Sequence, residues 1–190
     1  RVCIRSGQHP YNTSLFAAMI AHNGAAATET WLSAVKDNLA RKAAGGDRDV
    51  ARDILAGICD IGIANAYYVG RMKNAEAGSE QRAWGDAIQV VRPVFAVENG
   101  GTHVNISGAA VAKHAPNRDN AVKLLEYLVG DQAPSLYARA NYEYPVKPGV
   151  ALDPVVASFG SMHIDPLPLA DVVANRKLAS ELVDKVGFDN

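Results

Sequence analysis

Long apolar runs are missing from this 190-residue sequence; no stretch approaches the ~20 residues that a membrane-spanning helix needs. An excess of either charge is missing as well, since 19 Lys and Arg against 20 Asp and Glu leave a net charge of −1. Without a basic bias, nucleic-acid binding has no electrostatic footing, and no acidic tail suggests a disordered partner segment. With two cysteines there is no zinc-type cluster. The five histidines (His9, His22, His103, His114 and His163) show neither an HExxH motif nor an i, i+4 pair, and read individually as surface or capping residues. No GxSxG elbow surrounds a serine, no P-loop occurs, and Gly7, Gly62 and Gly70 form no dinucleotide fingerprint. An enzyme therefore has no nucleophile–base pair to stand on. Repeats and low-complexity tracts are also missing.

What is present is the composition of a globular protein, 48% hydrophobic and 21% charged. That suits one large domain or two small lobes. Arg1-Val2-Cys3-Ile4-Arg5 reads as a strand already under way, with neither methionine nor signal peptide before it. The expectation is a fragment or processed product that begins inside a fold.

The chain then alternates strand and helix. After the first strand comes the polar loop Ser6 to Asn12, and Asn12 or Thr13 caps a helix from Ser14 to His22, closed by Asn23-Gly24. Thr28 or Thr30 starts an amphipathic helix running to about Arg41, and Asp47 caps another from Arg48 to Ala56. A short strand, Ile61 to Ala64, follows Cys59-Asp60. This alternation predicts an α/β fold with a parallel sheet. Downstream, 88–91, 94–97 and 104–112 read as strands, and 121–129, 134–140, 153–159 and 169–186 as helices. The stretches around 93–102 and 145–152 look like crossings between two lobes.

Ligands in open α/β sheets bind beyond the carboxyl ends of the strands. Three tyrosines stand there: Tyr11 after the first strand, and Tyr67 with Tyr68 after the second. Consecutive residues cannot share a helix face or a strand face, but at a strand-to-helix turn both hydroxyls can converge on one point. The alternative is one ring in the core and the other on the surface. If the two strands are neighbours, all three hydroxyls face one crevice. Phenolate is a hard anionic ligand, and three phenolates balance the charge of Fe³⁺. Free phenols titrate near 10, so only a strongly polarising cation deprotonates three together near neutral pH. His9 lies in the Tyr11 loop. Cys3 and Cys59 each open a short strand; two buried free thiols or a disulfide both fit.

Asn65-Ala66-Tyr67-Tyr68, taken with Arg1 to Ser6 and Tyr11, resembles the periplasmic ferric-ion-binding proteins of bacterial iron ABC importers. The runs Asn105 to Val111 and Asn141 to Val146 are similar to that family too, and the Tyr11-to-Tyr67 interval resembles its three-tyrosine members. The resemblance implies a periplasmic-binding-protein type II lobe, a parallel-rich sheet flanked by helices, with part of a second lobe. Residues 1–95 and 151–190 would form the C-terminal lobe, and 96–150 the returning part of the N-terminal lobe.

The resemblance further implies Fe³⁺ bound by Tyr11, Tyr67 and Tyr68. A synergistic anion such as carbonate or phosphate, or a water, would lie near Gly7, Gln8, His9 and Asn65. It also implies a Cys3–Cys59 disulfide, a periplasmic location and delivery of iron to an inner-membrane permease. An unpaired part of a second lobe would associate with a missing N-terminal segment or with a second copy. Two other readings remain: a binder of an oxyanion or small organic ligand with the same fold, and the effector-sensing domain of a transcription regulator.

Overall fold

A computed structural model describes residues 1–190. In chain order the elements are β1 (Val2–Ile4), α1 (Pro10–Asn23), α2 (Ala25–Asp37), α3 (Asp47–Leu55), β2 (Ile61–Ile63), α4 (Ala66–Lys73), α5 (Glu80–Asp86), α6 (Arg118–Val129), α7 (Ala133–Asn141), α8 (Pro154–Ser158) and α9 (Leu169–Lys185). β1 and β2 pair in parallel, with Val2 opposite Ile61, Cys3 opposite Gly62 and Ile4 opposite Ile63. The other edge of β1 is taken by the segment after α2, where the Val2 amide donates to Asn38 O and the Ala40 amide to Val2 O, each at 2.9 Å.

Two compact units result: Arg1–Asn105 with Ser161–Asn190, and Ile106–Gly160. The expected lobe limits, 95/96 and 150/151, lie about ten residues before these boundaries.

The first unit carries the main core. Ile4 of β1, Phe16 of α1, Leu32 of α2, Val183 of α9 and Phe188 close on one another, all nearly sealed from solvent. Phe16 packs on Phe188 and Trp31 with centroids 5.9 and 6.0 Å away. A smaller cluster of Cys3, Val50 and Cys59 sits between the strands and α3. Cys3 and Cys59 form a disulfide there, with Cα atoms 5.8 Å apart. At the far end of α1, His22 Nε2 lies 2.9 Å from the buried carboxylate of Asp165.

The helix starts differ from expectation. α1 begins at Pro10, not Ser14, because proline fits the first helical position and His9 Nδ1 accepts the Tyr11 amide at 3.3 Å. Asn12 is instead committed to the Arg5 and Ser6 carbonyls. α2 begins at Ala25; Thr28 and Thr30 do not cap it but bond back to the Gly24 and Ala26 carbonyls from inside the helix. α3 begins at Asp47 itself, while Asp49 takes the capping role.

The segments 88–91, 94–97 and 104–112 form no strands. A strand needs a ladder partner, and here none is present: Val91 is 78% and Ile106 63% exposed. Between the second and third of these segments, Thr102 makes an isolated bridge with Ile164. The second unit holds α6, α7 and α8. The amphipathic pattern of α6 is real, yet the helix buries no residue; Leu124, Tyr127 and Val129 face solvent, as do Leu136 and Tyr137 of α7.

Side chains crowd Gly62: a Cβ there would overlap Val50 Cγ1 and lie 2.9 Å from Ile54 Cδ1. Gly62→Ala is expected to cost roughly 1–3 kcal/mol by overpacking between β2 and α3. Denaturant unfolding with an unchanged m-value checks this; wild-type stability in the variant would contradict it.

Candidate metal centre

Each tyrosine stands in the first turn of a helix that follows one of the two paired strands. Tyr11 is the second residue of α1, and Tyr67 and Tyr68 are the second and third of α4. The helix starts at Ala66. Helical Cα–Cβ bonds tilt towards the N-terminus, so both phenols of the pair lean out past the start of α4. This explains how adjacent residues meet: the Tyr67 and Tyr68 centroids are 4.2 Å apart, with planes inclined by 30°. Both are half-buried; neither is a core ring.

Because β1 and β2 are direct neighbours, the α1 and α4 turns are neighbours too. Burial, followed by hydrogen-bonding and charge interactions with the Tyr68 and Tyr11 phenols, pushes the Tyr67 phenol well above its ordinary value. Without a cation, this group holds its proton throughout the neutral range. Helix N-termini favour negative charge in their first turn, so the same placement suits a phenolate once a cation has displaced the proton.

A guanidinium accompanies each ring. Arg5 stands 5.6 Å from the Tyr11 centroid, Arg48 5.6 Å from Tyr68 and Arg71 5.2 Å from Tyr67. The His9 ring packs edge-on to Tyr11 with centroids 4.7 Å apart. Burial and then Arg5 lower its pKa against the opposing pull of Asp47, which favours the neutral imidazole. Asn65 precedes α4 at its cap position, but its side chain makes no cap bond there.

Gly7 and Gln8 are turned elsewhere. The Gly7 amide donates to Asp189 Oδ1 at 2.7 Å, and Gln8 Nε2 donates to Ser180 O and Asp184 Oδ1 on α9. Of the four residues expected near an anion, His9 and Asn65 flank the tyrosines, while Gly7 and Gln8 brace the loop from behind. No cluster of three or more His, Cys, Asp or Glu residues suited to a metal assembles anywhere. Sequence reading missed Arg48, Arg71 and Asp47; the first two carry no signal beyond being basic, and Asp47 beside Gly45-Gly46 looks like an ordinary helix cap.

The chain matches Iron uptake protein A2 of Synechocystis with 39% identity over 188 residues, 99% of this chain and 54% of that protein. Its structure superposes on the Bordetella ferric binding protein with a TM-score of 0.91 and 75% identity, over 100% of this chain and 60% of that one. The chain is a homologue of the ferric-ion-binding proteins. A third member, from Trichodesmium and solved with iron and citrate, gives a TM-score of 0.89 and 38% identity, over 99% of this chain and 58% of that one. The chain thus spans little more than half the length of these relatives. Its fold is the α/β type II lobe of periplasmic binding proteins, here with a sheet of only two strands. No family model matches the sequence. No helix is long and apolar enough to cross a membrane.

Proposed function

We propose that the chain is the ligand-bearing part of a ferric-iron solute-binding protein, with Tyr11, Tyr67 and Tyr68 as tyrosinate ligands. The observation that carries this reading is the convergence of three phenols from two adjacent strand-to-helix turns, with the Tyr67 and Tyr68 rings in contact and Tyr11 close enough to act on Tyr67. Three phenolates neutralise a trivalent cation and suit its hardness. The names of the relatives favour iron over the oxyanion-binding and regulator readings.

Arg48 and Arg71 put positive charge beside a site that the phenolates would already neutralise. This favours a completing oxyanion such as carbonate or phosphate, with His9 and Asn65 nearby. The role is binding rather than catalysis. The unit Arg1–Asn105 with Ser161–Asn190 corresponds to the C-terminal lobe, and Ile106–Gly160 to the returning part of the N-terminal one. A periplasmic location and transfer of iron to an ABC permease complete the reading.

Titration with ferric nitrilotriacetate at neutral pH, with bicarbonate present, tests it. The expected results are a visible tyrosinate-to-iron charge-transfer band and release of protons in step with binding. The raised Tyr67 value fixes the sign: this phenol is protonated before iron arrives, so affinity rises with pH and acid frees the metal. No band and no proton release would sink the proposal.

A further inference from the structure

Asp47 opens α3, and its side chain is sealed from solvent, 0% exposed. Its own helix does not use it, since the Gly46 amide donates to Asp49 Oδ2 at 2.8 Å. Asp47 Oδ2 instead accepts from both the backbone N–H and the Nδ2 of Asn65, each at 2.9 Å. Its Oδ1 lies 3.2 Å from Arg5 Nη1. That approach is too oblique for a hydrogen bond, so charge rather than alignment holds the pair.

Burying a carboxylate is costly unless partners repay it. The partners here come from two loops, and each loop leads to tyrosine. Arg5 follows β1 and sets its guanidinium over the Tyr11 ring. Asn65 sits immediately before α4, whose second and third residues are Tyr67 and Tyr68. Its side chain is drawn away from capping α4: Nδ2 goes to Asp47, and Oδ1 accepts from Asn105 Nδ2 at 3.0 Å.

We infer that Asp47 is the positioning residue of the tyrosine cluster: one buried carboxylate, held at once by Arg5 and Asn65, sets the gap between the Tyr11 turn and the Tyr67–Tyr68 turn. Asp47 touches no phenol and binds no metal. It acts through Arg5 on one side and through the root of α4 on the other. Its effect on iron rests on the proposed function, but its effect on the geometry does not.

Asp47→Asn keeps the shape and removes the charge, and it places an NH₂ against donors that need an acceptor. With ferric nitrilotriacetate as the probe, affinity is expected to fall about 10–100-fold, the range for residues that orient metal ligands. The charge-transfer maximum shifts as the tyrosines relax. In metal-free protein, amide exchange accelerates at both 9–12 and 65–68. Asn65→Ala leaves the Arg5–Asp47 pair intact; it is expected to cost about 10-fold and to loosen 65–68 alone.

A lowered melting temperature with unchanged affinity, band and local exchange in both variants would make Asp47 a purely structural residue and overturn the inference. If the wild-type chain shows no band, the iron reading fails. The exchange comparison on metal-free protein then still decides the role of Asp47.

Discussion

Tyr67→Phe strips most of the charge-transfer band from the iron-loaded protein, and Tyr67→Phe/Tyr68→Phe removes it entirely, while both metal-free variants stay folded. Tyr67 is the phenol on which both of the others act, so its loss removes one ligand and the shared neighbour of the remaining two. Residues that merely orient ligands are worth 10–100-fold in metal affinity; loss of a direct anionic ligand should exceed about 100-fold.

Stability moves in the other direction at high pH. The folded state holds the Tyr67 phenol above its ordinary value, so it favours the neutral form. That contribution is complete below about 10, where a free phenol titrates, and is lost as pH rises through the folded value. Tyr67→Phe has no such proton, so alkaline destabilisation of the metal-free protein is smaller in the variant. Visible titration beside melts at neutral and alkaline pH checks both effects. Wild-type iron affinity in Tyr67→Phe would remove Tyr67 from the ligand set.

Breaking the disulfide has the largest expected effect on stability. Cys3 and Cys59 close a loop with a sequence separation of 56, which the chain-entropy model values at about 4 kcal/mol. For a chain of this size that corresponds to a fall in melting temperature on the order of 10 °C. The bond joins β1 to the residues just before β2, the two strands that deliver the tyrosine turns. Cys3→Ala/Cys59→Ala separates the crosslink from the burial of two polar thiols, because both sulfurs lie in an apolar cluster. Melts of wild type with and without dithiothreitol, beside the double variant, make the measurement. A loss below about 1 kcal/mol would mean that the strand pair holds its register without the bond, against the chain-entropy expectation.

The tyrosines could be read from the sequence because their position follows from local pattern: a short apolar strand, a turn, then a helix start. The strand at 61–63 and the last helix were legible for the same reason, since each carries its signal within its own residues. The supposed strands at 88–97 and 104–112 have equally good local patterns and fail, because β pairing is decided by a neighbour rather than by the segment. Asp47 was hidden differently. An aspartate after Gly-Gly at a helix start serves a cap or a distant partner equally well, and only the fold brings Arg5 and Asn65 to it. The early start of α1 turned on Pro10, which reads as a loop residue until the helix is seen to begin there.

The bridge between Thr102 and Ile164 brings together the two points where the chain leaves and re-enters the first unit. Thr102 N–H donates to His163 O at 2.7 Å, and Asp165 N–H to Thr102 O at 3.0 Å. Asp165 is fastened in turn to His22 at the end of α1. Topologically, then, Ile106–Gly160 is a parenthesis: the sentence around it closes without it, and no residue of the main core is drawn from inside. Such inserted segments tolerate change in length and sequence far better than the framework that clasps them. Substitutions can accumulate inside the parenthesis while the tyrosines and their buried aspartate stay in register outside it.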